Sequence, residues 1–166
     1  MAMREIVKKG DDVLAKKCHA VTKFDYKLHE LLDDMTETVR AADGVGLAAP
    51  QVGILRQVVV VINEDDEVIE LVNPEIVKTS GEQFGLEGCL SVPGRYGFVQ
   101  RPMIVRVKAQ DRNGVPFEVE DEGLTARCFC HEIDHLSGHL FDELVERTYT
   151  AEELEAMEEE GIEVEE

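Results

Sequence analysis

The stretch EGLTARCFCHEIDHLSGH, residues 122–139, predicts a buried helix that runs from about Glu122 to His139 and carries two histidines on one face. That face holds, at steps of four, three and four residues, Leu124, Cys128, His131 and His135. A neighbouring face holds, with the same steps, Phe129, Ile133, Leu136 and Leu140. Because a helix that is apolar over more than half of its surface packs inside a protein, both histidines are expected to point into the interior.

Within this helix, HEIDH at residues 131–135 matches the HExxH pattern of metal-binding helices. Histidines four residues apart reach the same metal ion, and Glu132 lies where it can take a proton from a water on that ion. Two buried histidines without a polar partner would be costly, and a metal supplies that partner. The pentapeptide therefore predicts a metal site, although a packing helix that carries two histidines by chance also fits so short a pattern.

An HExxH site needs a third protein ligand, and the sequence offers candidates on both sides of the helix. Downstream lie Asp142, Glu143 and Glu146, which follow the helix end closely and are expected to be solvated. Upstream, Cys89 lies in EGCLSVPG, residues 87–94, where glycines and a proline favour a rigid, exposed loop. Cys89 is the better candidate, while burial as a small core residue is the common alternative for a free cysteine.

A second long helix and a short acidic one are predicted on either side of the strands. FDYKLHELLDDMTETVRAADGVG, residues 24–46, predicts a helix that Asp25 caps at its start and Gly44 ends. Its apolar stripe consists of Leu28, Leu31, Leu32, Met35 and Val39. TAEELEAM begins a short helix at Thr150, whose spacing to Glu153 is that of a capping box.

The β-branched runs between the two long helices predict antiparallel hairpins. QVVVVIN and VIELVNP, residues 57–63 and 68–74, flank an acidic turn and predict the first hairpin. MIVRVKAQDRNGVPFEVED, residues 103–121, predicts the second, with Asn113-Gly114 at its turn. Between them, PEIVKTSGEQFGLEGCLSVPG predicts a strand followed by a glycine-rich excursion, and GVGLAAPQVG at residues 44–53 predicts a tight loop.

The expected architecture is α+β, with mostly antiparallel sheets packed around a central buried HExxH helix, an N-terminal helix and a short acidic C-terminal helix. Residues 1–147 are expected to form a metal-dependent catalytic domain, and residues 148–166 an acidic helix and tail that frays after Gly161. The 166 residues are 43% hydrophobic and 32% charged, which is typical of one globular domain.

The charge pattern excludes several classes of protein. The formal net charge is −19, and residues 150–166 hold nine glutamates and no lysine or arginine. Such an excess repels phosphate backbones, so no direct nucleic-acid binding is expected. No apolar run approaches the roughly 20 residues that a membrane helix needs, and the start MAMREIVKKGDDVL lacks the apolar stretch of a signal peptide. We therefore expect a cytoplasmic protein that does not enter a membrane.

Three motifs, GVGLAAPQ at residues 44–51, EGCLS at 87–91 and HEIDH at 131–135, occur in this order along the chain. Together they resemble the signature motifs of peptide deformylase, and the resemblance covers roughly residues 4–147. Members of this family remove the N-formyl group from the formyl-methionine of newly synthesised proteins and release formate. The resemblance implies an enzyme of the bacterial cytoplasm that acts on N-formyl-methionyl peptides and nascent chains, with transient proximity to the ribosome.

The resemblance also assigns roles to residues of the three motifs. The ligands of one divalent ion are then Cys89, His131 and His135. Fe(II) is implied as the native ion, while Ni, Zn or Co would also suit one thiolate and two imidazoles. Glu132 is implied as the base that takes a proton from water and returns it to the leaving amine. The side-chain amide of Gln51 and the backbone N–H of Leu90 are implied as donors to the developing oxyanion.

A pocket for the substrate is expected beside the metal. Its expected residues are Val45, Gly46, Glu87, Tyr96, Leu124 and Cys128. Leu124 and Cys128 precede His131 on its helix face and would form walls suited to a methionine side chain, with plain core packing as the alternative. Gly46 lacks a side chain, so an extended peptide backbone can approach and pair with it.

Three details around the motifs remain to be decided by a structure. Glu87 is expected to pair with Arg101 and so to stabilise the loop at residues 87–94 that carries Cys89. Either Arg95 or Tyr96 lines the pocket, and the sequence does not distinguish them. Cys130 stands where many family members have glutamine, and it is expected to face away from the metal.

Three other functions are compatible with parts of the pattern. An HExxH metallopeptidase would use a downstream acid instead of Cys89 as its third ligand. A metal-stapled module without catalysis would leave Glu132 and Gln51 idle. An inactive relative that binds formyl peptides without cleaving them is disfavoured, because all three ligands, the glutamate and the glutamine are present.

Overall fold

A computed structural model describes residues 2–159 and shows an α+β fold with antiparallel sheets, as predicted. The helices are α1 (Tyr26–Ala41), α2 (Gly123–His135) and α3 (Ala151–Glu159). The strands are β1 (Gly46–Ala48), β2 (Val58–Ile62), β3 (Val68–Ser80), β4 (Gln83–Cys89), β5 (Val92–Arg101), β6 (Ile104–Gln110) and β7 (Pro116–Glu122). Among these residues, no helix has both the length and the apolar content needed to cross a membrane.

The larger sheet has the strand order β1-β2-β3-β6-β7, and all neighbours in it are antiparallel. Both predicted hairpins are confirmed: β2 pairs with β3, and β6 pairs with β7. The turn of the second hairpin closes through a hydrogen bond of 3.0 Å from the Gly114 N–H to the Asp111 carbonyl. Gly114 has a φ of +84°, a conformation that favours glycine, and this explains the Asn-Gly signal at the turn.

The VVVV run of β2 is buried on both faces of the larger sheet. Val58 and Val60 belong to the core cluster formed with α1, whereas Val59 and Val61 belong to the cluster formed with Phe129 of α2. A strand that is covered on both sides loses the polar alternation of a half-exposed strand and becomes continuously apolar. The sheet thus lies between α1 and α2, and α2 also contacts β1, β6 and β7.

Helix α1 begins as predicted, but the left-handed residue that ends it is Asp43 and not Gly44. Asp25 accepts the Leu28 N–H at 3.2 Å and caps the helix. At the other end Asp43, with a φ of +58°, takes the left-handed position, and Gly44 donates its N–H to Val39 at 2.9 Å. The expectation that Gly44 ends the helix was wrong in detail, because an aspartate also tolerates this conformation.

Two segments that were predicted as loops are strands. Gly46–Ala48 pairs with β2 as the edge of the larger sheet, with Gly46 opposite Val61. The glycine-rich excursion is β4, which forms a separate two-stranded sheet with β5. Its glycines reflect close packing: a Cβ at Gly88 would lie 2.8 Å from the Tyr96 ring, and one at Gly97 would lie 3.1 Å from Val145.

Helix α2 ends at His135, four residues before the predicted end at His139. The chain turns through Gly138, whose φ is +83°, and His139 then donates its N–H to Asp134 at 3.1 Å. A Cβ at Gly138 would lie only 2.5 Å from the Ala15 carbonyl oxygen, so glycine is also required by the neighbouring chain.

Helix α3 has the predicted capping box. Thr150 donates its N–H to Glu153 at 3.0 Å, and the Glu153 N–H donates to the Thr150 hydroxyl at 3.1 Å. The segment before it is joined to β5, because Tyr96 and Tyr149 exchange two backbone hydrogen bonds of 2.9 and 2.7 Å. The predicted fraying after Gly161 lies outside the described residues.

Candidate metal centre

Two elements that are far apart in sequence bring three potential metal ligands together. Cys89 lies at the end of β4, and His131 and His135 lie one turn apart on α2. Their ligand atoms all lie within 4.8 Å of one another, and the Cys89 sulfur is 3.4 Å from Nε2 of His135. Tetrahedral coordination of one ion by a thiolate and an imidazole separates the two donor atoms by about 3.5 Å. The donor types and their spacing fit one divalent ion.

The two imidazoles present suitable nitrogen atoms to such an ion. Nδ1 of His131 lies 2.8 Å from the Glu87 carboxylate, which accepts the proton of this nitrogen and leaves Nε2 as the atom that can bind an ion. Burial opposes protonation of this ring, but the charge of Glu132 and the bonds to Cys89 and Glu87 raise the pKa of His131, so a bound ion would replace a proton on Nε2. Burial lowers the pKa of His135 to about 3, which keeps its ring neutral. Both rings are almost fully buried, and they meet edge to face with centroids 5.1 Å apart.

Glu87 braces the first histidine and is itself held by two arginines. Arg101 donates to both of its oxygens at 2.8 and 2.9 Å, and Arg127 adds a third bond of 3.0 Å. Burial opposes ionisation, but the bonds from Arg101 and His131 outweigh it and lower the pKa of Glu87 to about 2. The predicted pairing with Arg101 is present. Glu87 also lines the cavity described below, so its expected contact with substrate stays a prediction.

Glu132 has the opposite environment. Its side chain is buried, yet within the described residues its Oε1 has no hydrogen-bond partner. That oxygen lies 3.9 Å from Nε2 of His135, at the ligand group. Burial raises the pKa of Glu132 to about 7. Its other oxygen lies against Gly46, where an added Cβ would be only 2.7 Å away. A carboxyl group with a free oxygen therefore faces the three potential ligands.

Gln51 presents an amide N–H at the same place. Its carbonyl oxygen accepts the Ala48 N–H at 2.9 Å, which fixes which end of the amide is nitrogen. Its Nε2 then donates to the Ser91 hydroxyl at 3.1 Å and lies 3.5 Å from the Cys89 sulfur. The first and second motifs thus meet through Gln51, which is 1% exposed. Leu90, the third predicted catalytic residue, follows Cys89 directly in the turn to β5.

A cavity of about 460 Å³ opens beside these groups. Its lining includes the predicted residues Val45, Gly46, Gln51, Glu87, Cys89, Leu90, Tyr96, Leu124, Cys128, His131 and Glu132. His135 is the one predicted site residue that is not part of the lining. Arg95 and Tyr96 both line it, so the choice between them was unnecessary. Leu124 is 47% exposed, whereas Cys128 is buried, and burial raises the pKa of its thiol. Cys130 packs in the core cluster with Phe129.

Three residues of the site were missed in the sequence. Ser91 holds Gln51, Asp134 accepts Arg101 at 2.8 Å, and Arg127 reaches from α2 to Glu87. The sequence did offer a signal for Arg127. It is a charged residue in a largely apolar helix, four residues before His131, and this spacing places it on the buried side of the helix together with that histidine. Ser91 and Asp134 carried no such signal, because their partners lie 40 and 33 residues away in sequence.

Comparisons with known proteins show which family the chain belongs to. The family model for polypeptide deformylase matches residues 3–150. The chain is 55% identical over 156 residues to peptide deformylase 1 of Bacillus anthracis, covering 93% of this chain and 100% of that protein. It is 54% identical over 145 residues to the peptide deformylase of Alkaliphilus metalliredigens, covering 87% of this chain and 98% of that protein.

Solved structures give the same result. The peptide deformylase of Thermotoga maritima superposes with a TM-score of 0.84 at 39% identity, covering 89% of this chain and 100% of that chain. That of Synechococcus elongatus, in complex with actinonin, gives 0.83 at 42% identity, covering 97% and 87%. The chain therefore belongs to the peptide deformylase family of hydrolases, which remove the N-formyl group from nascent peptides.

Proposed function

We propose that Cys89, His131 and His135 hold one divalent ion, natively Fe(II), and that Glu132 carries the proton transfers of deformylation at this centre. The ion could also be Ni, Zn or Co, since one thiolate and two imidazoles accept each of them. When bound, the ion supplies Lewis acidity, which lowers the pKa of a water molecule and polarises the formyl carbonyl. The steps assigned to the protein itself are binding, orientation and proton transfer.

Glu132 is suited to both proton transfers. Its free Oε1 lies at the ligand group, where it can accept a proton from the attacking water. Burial raises its pKa to about 7, so near neutral pH it can both accept a proton and release one. After attack on the formyl carbon, Glu132 returns the proton to the amide nitrogen as the C–N bond breaks. Formate and a free amino terminus are the products.

Gln51 and Leu90 are proposed to stabilise the oxyanion that forms on the formyl oxygen. Ala48 and Ser91 orient the Gln51 amide, so the donor proposed for the oxyanion is its second N–H, which is directed towards Cys89. It also adds no charge beside the ligand group. The backbone N–H of Leu90 is proposed as the second donor, because Leu90 follows the ligand cysteine and lines the same cavity.

The cavity is proposed to bind the formyl-methionine residue in an extended conformation. Leu124, Cys128 and Tyr96 form walls of a size and softness suited to a methionine side chain. β1 is an edge strand, and its residue Gly46 borders the cavity, so a peptide backbone can pair beside it. Val45 completes the rim and is 42% exposed.

The natural partners are proposed to be N-formyl-methionyl peptides and nascent chains. The place of action is then the bacterial cytoplasm, in transient proximity to the ribosome. The formal charge of −19 argues against any attachment through nucleic-acid phosphates. Encounter with a nascent chain would rely on the pocket and the β1 edge.

One observation carries the proposal: the unpartnered, buried oxygen of Glu132 beside three convergent ligand atoms. The test is formate release from a formyl-methionyl tripeptide by protein loaded anaerobically with ferrous or nickel ion. Release that disappears in Glu132→Ala with the ion still bound is the expected result. A matched control is Glu120→Ala, which removes a surface glutamate that pairs with Arg106.

A second variant separates deformylation from HExxH peptidase chemistry. Cys89→Ala is expected to abolish tight metal binding and formate release together. Retained metal and peptide-bond cleavage in this variant would instead identify a peptidase with a different third ligand. A wild-type protein that holds the ion through Cys89 and releases no formate would contradict the proposed reaction.

A further inference from the structure

The proposed ligands come from two elements that are far apart along the chain. Cys89 comes from the β4–β5 sheet, whereas both histidines come from α2. A tetrahedral site tolerates only a few tenths of an ångström in its ligand distances. The relative placement of α2 and the β4–β5 sheet must therefore be fixed by interactions outside the ligands themselves.

Arg127 connects these two elements directly through the backbone of both strands. It lies on α2 one turn before His131, and it is only 5% exposed. Its Nη1 donates to the backbone carbonyls of Gly85 and Val99, both at 3.1 Å. Gly85 and Val99 lie opposite each other in the register of β4 and β5, so one guanidinium group binds a pair of directly facing residues.

Two side chains complete the environment of this guanidinium group. Nη1 also donates to Glu87 at 3.0 Å, and Nη2 donates to the Gln83 amide oxygen at 3.2 Å. Glu87 is the residue that holds Nδ1 of His131. Arg127 thus contacts the strands that lead to the cysteine ligand and the carboxylate that orients the first histidine.

Arg101 runs in the opposite direction but binds side chains only. It extends from β5 to Glu87 and to Asp134 of α2. Two arginines and two carboxylates therefore balance in charge, but only Arg127 of this group is bonded to the backbone of both strands. A planar guanidinium with several fixed donors is suited to setting such a distance, whereas the single ammonium group of lysine is not.

We propose that Arg127 is a positioning residue for the metal centre: it sets the separation between Cys89 on β4 and the histidines on α2, and through it the affinity and coordination geometry of the ion. The inference rests on the proposed metal site. It assigns Arg127 no contact with the reacting atoms.

The test measures metal binding directly, together with stability. Wild-type, Arg127→Lys and Arg127→Met proteins are prepared metal-free and titrated with nickel against a chromophoric chelator. Arg127→Met is expected to weaken nickel binding by about 10- to 100-fold, a typical effect of removing a residue that supports a ligand. The visible spectrum of the cobalt(II) form, which reports coordination geometry and the thiolate bond, is expected to change as well.

Arg127→Lys distinguishes geometry from charge. Lysine keeps a positive charge beside Glu87 but cannot serve both strand carbonyls and Gln83, so it is expected to fold and still bind nickel more weakly. It therefore decides the matter even if Arg127→Met does not fold. The control is Leu28→Ala, which opens a cavity under α1 and lowers the thermal midpoint without touching α2 or β4.

The outcomes separate this inference from the proposed function. Folded Arg127 variants with wild-type nickel affinity and an unchanged cobalt spectrum would overturn it, as would an equal loss of affinity in Leu28→Ala. A wild-type protein whose nickel binding does not depend on Cys89 would instead remove the proposed metal site itself.

Discussion

Two buried glutamates lie close to the histidines of α2, Glu132 on the helix itself and Glu87 on β4, and their surroundings are opposite. Glu87 braces His131 from β4, and its surroundings are called here the bracing side. It is bonded to Arg101, Arg127 and His131, and these bonds lower its pKa to about 2 although burial opposes ionisation. On the side that faces the cavity, called here the open side, no cation among residues 2–159 is hydrogen-bonded to Glu132 and its Oε1 has no partner, and burial raises the pKa of Glu132 to about 7. Burial acts in the same direction on both groups, so the partners decide which carboxyl is a fixed charge and which can exchange a proton.

The comparison can be tested by the same substitution on both sides. Glutamine has nearly the shape of glutamate but neither the charge nor the basicity. Glu132→Gln should remove activity without lowering stability. Glu87→Gln should lower both the stability of the fold and the affinity for the metal ion. If both variants lost activity and stability in equal proportion, the distinction between the two sides would be wrong.

Glu132→Gln is expected to show the largest effect on catalysis. Loss of a positioned acid and base lowers kcat by about 10²- to 10⁴-fold. The metal content should stay at one ion per chain, because Glu132 is not among the three proposed ligands. Thermal stability of the metal-free protein should not fall, since Oε1 of Glu132 has no hydrogen bond within residues 2–159 to lose and the substitution removes a buried ionisable group. Formate release, metal analysis and a melting curve on one preparation measure all three.

Glu87→Gln is expected to act mainly on stability and metal affinity. It leaves Arg101 and Arg127 buried without their carboxylate, a change that costs about 3–5 kcal/mol when one partner of a buried ion pair is removed. Nickel affinity should fall by about 10- to 100-fold, because Nδ1 of His131 loses a charged acceptor. Urea unfolding and chelator competition report the two effects, and Glu118→Gln on the exposed β7 strand is the matched control.

Gly46→Ala tests how closely the open side is packed. The new methyl group would lie 2.7 Å from Oε2 of Glu132, so the carboxyl must move away from its present position. Displacement of a catalytic group by about 1 Å lowers the rate by roughly 10²-fold. The fall should appear in kcat with the metal retained, and a variant with unchanged kcat would show that Glu132 has room to move.

The same two sides show what a sequence can and cannot predict. HEIDH, the helix that carries it and both hairpins follow from local periodicity and turn residues, and they are present in the structure. The β4–β5 sheet was missed because its glycines indicated a loop, whereas they make room for Tyr96 and Val145. The bracing side was predicted only through Glu87 and Arg101, because the partners of Arg127 lie 28 to 44 residues away and leave no local pattern.

The catalytic roles of the predicted site residues stay predictions, unlike their positions. The structure brings the three predicted ligands together and places Glu132 and Gln51 with two of them, Cys89 and His131, on the wall of one cavity. Their roles depend on energies that only variants measure. Ser91, one of the three residues that the sequence did not predict, offers a sensitive measurement because the effect of replacing it should be small and specific.

Ser91→Ala is expected to give the smallest of these effects. Ser91 is fully buried, and its hydroxyl accepts one of the two N–H groups of the Gln51 amide, which leaves the other directed towards Cys89. Without that acceptor the amide can rotate, and the loss of one hydrogen bond of about 1 kcal/mol corresponds to a roughly five-fold lower kcat. KM and nickel affinity should be unchanged, because neither the pocket wall nor a ligand is altered. In a Gln51→Leu background the same substitution should have no further effect on kcat, since the amide that Ser91 orients is absent. A full additional loss in the double variant would mean that Ser91 acts on the β4–β5 turn and not through Gln51.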